Sequence, residues 1–145
     1  TAWIGAAVLF VVVGVKEVTS PDLSSEVKDR LAVIRFPAFY VAGFGAVCAC
    51  WLAPAVTSTR GDLSPRHNWL ALACLTLAIG GMLFDYWTIY LPLEQMVVPP
   101  GQPRTMEFIR LHKWSSRVNS INLLFCLIAA ISLLWPPRRD VEDVG

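Results

Sequence analysis

Four apolar stretches, Thr1–Val15, Phe36–Val56, Trp69–Leu91 and Val118–Trp135, leave every charged residue of the chain outside them except Asp85. A bilayer hydrocarbon core of roughly 30 Å is crossed by about 20 apolar residues in a helix. The second and third stretches meet that length, the fourth is slightly short, and the first looks clipped. Each run is continuously apolar, whereas strands of a membrane barrel alternate lipid-facing and lumen-facing residues over about 10 positions. Helices follow. With 55% hydrophobic and 16% charged residues, a water-soluble domain of this size would be left with too much apolar surface. The expectation is an all-α, integral membrane, four-helix antiparallel bundle, one domain over residues 1–145 with spans at about 1–15, 36–56, 69–91 and 115–135.

The connections carry their own signals. Ser20-Pro21-Asp22 reads as a helix start, and Leu23, Val27, Leu31 and Ile34 recur at helical spacing opposite Asp22, Glu26, Lys28 and Asp29. This pattern predicts a short interfacial amphipathic helix that Pro37 separates from the second span; the alternative is an extension of that span. Thr57–Asn68 has ordinary loop composition. Pro92–Pro103, with four prolines and a glycine, is expected to run extended over the surface. Pro103 then opens a long fourth helix that protrudes beyond the bilayer, and Pro136-Pro137 ends it with Arg138-Arg139 as an anchor. The chain opens with Thr inside an apolar run, so residues before Thr1 are expected.

With four spans, the first and third connections share one side of the bilayer. They hold Lys16, Lys28, Arg30, Arg35, Arg104, Arg110, Lys113 and Arg117, against Arg60, Arg66, Arg138 and Arg139 on the other side. The excess of basic groups places the first and third connections in the cytoplasm, although that side is also the longer one. A net charge of +1 with no basic run argues against nucleic acid as a partner. The bilayer and other membrane subunits are the expected partners.

Membrane helices associate by close packing, for which small residues serve best. Ala38, Ala42, Ala46 and Cys50 repeat every four residues on the second span and are expected to face the neighbouring helices. Asp85 is costly in hydrocarbon and requires a partner, a cavity or a ligand. Counted back from Leu91, it lies about 9 Å inside the side that holds the eight basic groups. Arg35 approaches from the second span. On the fourth helix one stripe carries Arg110, Lys113 and Arg117, and another carries His112, Ser115, Ser116, Asn119 and Asn122. Either stripe can satisfy the carboxyl. The favoured reading is an ion pair of Asp85 with Arg35 or Arg117 that fixes the packing. The functional alternative is a polar pocket of Asp85, His112, Asn119 and Asn122 for an ion, a proton or a polar ligand.

No resident cofactor is expected beyond lipid. Haem or chlorophyll would have to be held through His67 or His112, which fall on opposite sides, and His112 is better read as an interfacial histidine. Cys48, Cys50, Cys74 and Cys126 lie in apolar surroundings, and residues two apart on a helix point away from each other, so no metal site is expected. No phosphate loop, nucleophile elbow or metalloprotease histidine pair is present, and no enzyme activity is expected.

Phe108, Leu111-His112, Ser115 or Ser116, and Asn119 or Asn122, set at near-helical spacing within segment 108–122, resemble the fourth-helix region of the transmembrane protein 205 family. Trp3-x-Gly5 is similar to the start of that family's first span. The resemblance implies a four-span membrane protein without an established reaction, with roles in trafficking and metal-drug tolerance proposed for some members. The expected function is that of a non-enzymatic accessory or scaffold subunit of a larger membrane protein complex. The alternatives are a small transporter or ion-handling protein using Asp85 and His112, and a cofactor-holding subunit of an electron-transfer or photosynthetic complex.

Overall fold

A computed structural model describes residues 1–57 and 65–134, with backbone alone for 54–57. Four helices long and apolar enough to cross a membrane make up nearly all of it: α1 (Ala2–Thr19), α2 (Ser25–Thr57), α3 (Pro65–Gln95) and α4 (Met106–Leu134). Consecutive helices run antiparallel. Trp3 and Phe10 of α1 meet Phe39 and Phe36 of α2, Tyr40 and Trp51 of α2 reach Asp85 and Thr76 of α3, and Asn119 of α4 reaches Asp85. The chain is therefore an integral multi-pass membrane protein built as a helical bundle.

Two prolines behave differently from the expectation. Pro37 does not break the chain, and residues 25–34 form the first turns of α2, not a separate interfacial helix. A proline inside a helix removes one backbone bond, which neighbouring helices make tolerable in a bundle. The start lies at Ser25, where the Ser24 hydroxyl accepts the Val27 N–H at 3.3 Å, and Ser20 instead closes α1. Pro92 likewise sits inside α3, which continues to Gln95. Just before it, Tyr86–Tyr90 forms a π-helical turn in which the Leu91 N–H bonds Tyr86 O. Pro92 has no N–H to continue an α-helical ladder, which accounts for a change of hydrogen-bond register here. As a result Asp85, Ile89, Tyr90, Leu93 and Val97 all turn inward.

The link 96–105 is short and irregular, and α4 begins at Met106, not at Pro103. Thr105 caps it by accepting the Phe108 N–H at 3.1 Å. At 29 residues and 1.5 Å each, α4 is about 44 Å long, which exceeds a 30 Å hydrocarbon core. The connector residues 58–64 and the Pro136-Pro137 and Arg138-Arg139 pairs lie outside the described residues.

Helices α3 and α4 form the most extensive pairing, with α2 against α3 next and α1 lying mainly on α2. The core joins Val47, Ala71, Cys74, Leu75, Ala78, Met82, Cys126 and Ala129, so Cys74 and Cys126 serve there as small buried groups. On α2 the packing face is Tyr40, Gly43 and Val47; Ala38, Ala42 and Cys50 of the proposed small-residue stripe are exposed and Ala46 is half-buried. The stripe gives way because Tyr40 and Val47 bury larger surface, and only Gly43 among them must be small. A Cβ on Gly43 would lie 2.7 Å from both Met82 and Trp3, whereas Gly45 has nothing within 4 Å. Gly43→Ala is expected to destabilise the detergent-solubilised protein by about 1–3 kcal/mol, and Gly45→Ala to stabilise it by up to about 1 kcal/mol, in equilibrium unfolding.

Candidate functional site

A carboxyl in the middle of a membrane bundle has to take its hydrogen bonds from whatever the packed helices present. The π-helical turn and the α2 and α4 faces decide what that is. Asp85 is fully buried on α3. Its Oδ2 accepts a short hydrogen bond from the Tyr40 hydroxyl of α2, one from the Ser115 hydroxyl at 3.2 Å and one from Asn119 Nδ2 at 3.0 Å, both of α4. Asn119 Nδ2 also reaches Ser115 O at 3.1 Å and Ser115 Oγ at 3.2 Å, so the two α4 donors hold each other in place. Three donors from two helices converge on one oxygen. The other, Oδ1, is buried with no partner among the described residues.

No cation among the described residues takes part. Arg35 instead pairs with Glu17 of α1, donates to Phe10 O at 3.4 Å and covers the Phe10 ring at 4.8 Å. Arg117 lies on the exposed side of α4 over Trp114, at 5.5 Å from the ring centroid. The ion pair of Asp85 with Arg35 or Arg117 is thus replaced by neutral donors. The reason is geometric: Ser115 and Asn119 are one turn apart on the face of α4 that meets α3, and Arg117 points elsewhere. His112 is exposed and stacks in parallel on Phe108 at 6.0 Å, away from the carboxyl.

Asn122 is one turn further along the α3–α4 seam and 6% exposed, with its Nδ2 unpartnered among the described residues. It packs against Gly81, where any Cβ would strike the Asn122 amide. Of the residues singled out from the sequence, the structure therefore gathers Asp85 and Asn119, sets Asn122 just beyond them, and leaves Arg35, His112 and Arg117 apart. Tyr40 was missed. Its signal was a hydroxyl on an otherwise apolar span.

An aromatic cluster closes the site toward the end that carries the first and third connections. Tyr40 packs on Tyr90 at 4.9 Å and on Tyr86 at 5.2 Å, Phe36 lies 6.1 Å from Tyr90, and the Tyr90 hydroxyl donates to Glu94 at 3.0 Å. Beyond it lies a second buried carboxylate, Asp29, only 1% exposed. Asp29 Oδ2 accepts the Gly101 N–H at 2.8 Å, and Oδ1 pairs with Arg104. Gly101 has φ +90°, a conformation that glycine adopts freely. Asp29 thereby ties the 96–105 link to the start of α2, and Lys28 ties the same turns to α1 by donating to Val18 O at 2.8 Å. The amphipathic pattern placed Asp29 on a water-facing side; the folded link covers it.

No group of three or more metal-binding side chains occurs among the described residues. No protein-family model, curated protein or solved structure matches the chain.

Tyr40→Phe removes one of the Asp85 donors and is expected to cost about 1–2 kcal/mol of unfolding free energy in detergent, while Tyr86→Phe costs less than about 0.5 kcal/mol. A Tyr40→Phe/Asn119→Ala double-mutant cycle should show coupling, because both groups donate to the same oxygen. Asp29→Ala is expected to raise amide exchange across 96–105 with the spans unchanged, read by hydrogen exchange mass spectrometry.

Proposed function

We propose that this protein is a non-enzymatic accessory or scaffold subunit of a larger membrane protein complex, working through contacts between spans. The observation that carries the reading is the free face of α2. Ala38, Ala42, Gly45 and Ala49 follow one another at spacings of four, three and four residues, and all are exposed. Between lipid-embedded helices such residues allow close backbone approach, and lipid tails alone do not require them. The weak burial of α1, whose buried residue is Ala7, leaves further apolar surface beside it. Kinship with the transmembrane protein 205 family belongs to the same proposal and rests on the 108–122 segment.

Mild detergent extraction followed by native mass measurement is expected to give a mass above that of the single chain. Ala42→Leu/Gly45→Leu should release the companion while leaving the thermal stability of the chain within a few degrees. A lone chain of unchanged mass before and after substitution would rule the reading out.

A second reading, a small ion-handling protein, is favoured by Asp85 Oδ1, which has no partner among the described residues. It differs from the first in what Asp85→Asn does. Retained assembly with lost transport supports the second, and loss of the assembled bundle alone supports a purely structural carboxyl.

A further inference from the structure

The charged surface of the bundle is divided unevenly. Glu17, Glu26 and Asp29 are each paired with an arginine, respectively Arg35, Arg30 and Arg104. Arg110, Lys113 and Arg117 are exposed on α4 and form no ion pair among the described residues. At 100° per residue these three fall within about 60° of one another. Met106 falls inside that arc and Ile109 and Trp114 lie about 40° outside it on either side; they are 81%, 38% and 53% exposed. The stripe is therefore both cationic and apolar along its length, and Arg117 is stacked over Trp114.

Its depth decides what it meets. Arg117 is two residues from Asn119, which bonds the buried Asp85, and Arg110 lies about 14 Å from Asn119 toward the end that carries the first and third connections. On α1, Phe10 packs between Phe36 and Phe39, within one turn of Tyr40 toward that same end, and the exposed Val11, Val12, Val13 and Val15 carry on beyond it. Helical rise puts Val15 about 11 Å beyond Tyr40. Apolar surface thus reaches the height at which α4 displays Arg117 and Lys113. Long basic side chains at such a height extend toward the boundary, where the first oppositely charged groups are lipid phosphates.

We propose that the Arg110, Lys113 and Arg117 stripe binds the headgroup of an anionic phospholipid, its phosphate held by the three cations and its acyl chains running inward past Trp114 along the exposed Ile121 and Leu124. Guanidinium groups match phosphate oxygens in a bidentate manner, and the apolar continuation of the same face toward the bilayer interior matches the chains of the same molecule. An acidic segment of another protein would satisfy the cations but not this apolar continuation. The inference is independent of the scaffold reading, since it concerns α4 and not the free face of α2.

The test uses the full chain in bilayer discs of equimolar phosphatidylglycerol and phosphatidylcholine, with retained lipid counted by native mass spectrometry. The wild-type chain is expected to enrich phosphatidylglycerol, and removal of each cation to lower the enrichment by roughly fivefold. Lys113→Gln/Arg117→Gln should therefore abolish it. Lys16→Gln/Arg30→Gln removes the same charge from the same end and should leave it intact, whereas Arg117→Lys, which keeps the charge and loses the bidentate fork, should lower it only in part. Independently of the charge variants, quenching of Trp114, taken as the difference from Trp114→Phe, should be stronger with brominated phosphatidylglycerol than with brominated phosphatidylcholine. The proposal is overturned by equal retention of the two lipids, by equal loss in the Lys16/Arg30 pair, by displacement with inorganic phosphate, or by crosslinking of the stripe to an acidic polypeptide.

Discussion

The fold depends on how one fully buried carboxyl is satisfied among the packed spans. Asp85 sits on the central helix, and its hydrogen bonds come from α2 on one side and α4 on the other. Packing between lipid-embedded helices is otherwise directionless, so three donors aimed at one oxygen fix the rotation and height of both neighbours relative to α3. Neutral donors achieve this with no second charge to desolvate, and a buried ion pair carries that cost twice. The π-helical turn beside Asp85 belongs to the same arrangement. It lets the carboxyl, Ile89 and Tyr90 face inward together despite Pro92 one turn later.

Charge is handled in a different way at the end where the first and third connections meet. There every ion pair of the described residues is found, and Asp29 is the one that holds chain segments distant in sequence. Its pair with Arg104 and its bond to Gly101 join the 96–105 link to α2. Arg35 closes α1 onto α2 through Glu17 and Phe10. The bundle is thus held by neutral hydrogen bonds at its middle and by ion pairs at one end. Arg110, Lys113 and Arg117 on α4 take part in none of these pairs.

The number, order and antiparallel course of the helices were legible in the sequence because continuous apolar runs have one stable solution in a bilayer. Asp85 stood out for the same reason. Its partners were legible only in part. The polar stripe of α4 was visible with Asn119 and Ser115 in it, but a basic stripe ran beside it, and the choice between them depends on the rotation of α4, which periodicity does not give. Proline was misleading twice, at Pro37 and Pro92, since its meaning changes where neighbouring helices take over freed backbone groups. Asp29 was hidden by its own helix. An amphipathic pattern describes one helix in water and does not include a link folded over it from 72 residues away.

The central claim is tested most directly by solid-state NMR of the isotopically labelled chain in lipid bilayers, through correlations from the Asp85 carboxyl carbon to side-chain nitrogens. The account requires a contact to Asn119 Nδ2 and none to a guanidinium. A cross-peak from Asp85 to Arg35 or Arg117, with the Asn119 contact missing, would contradict it.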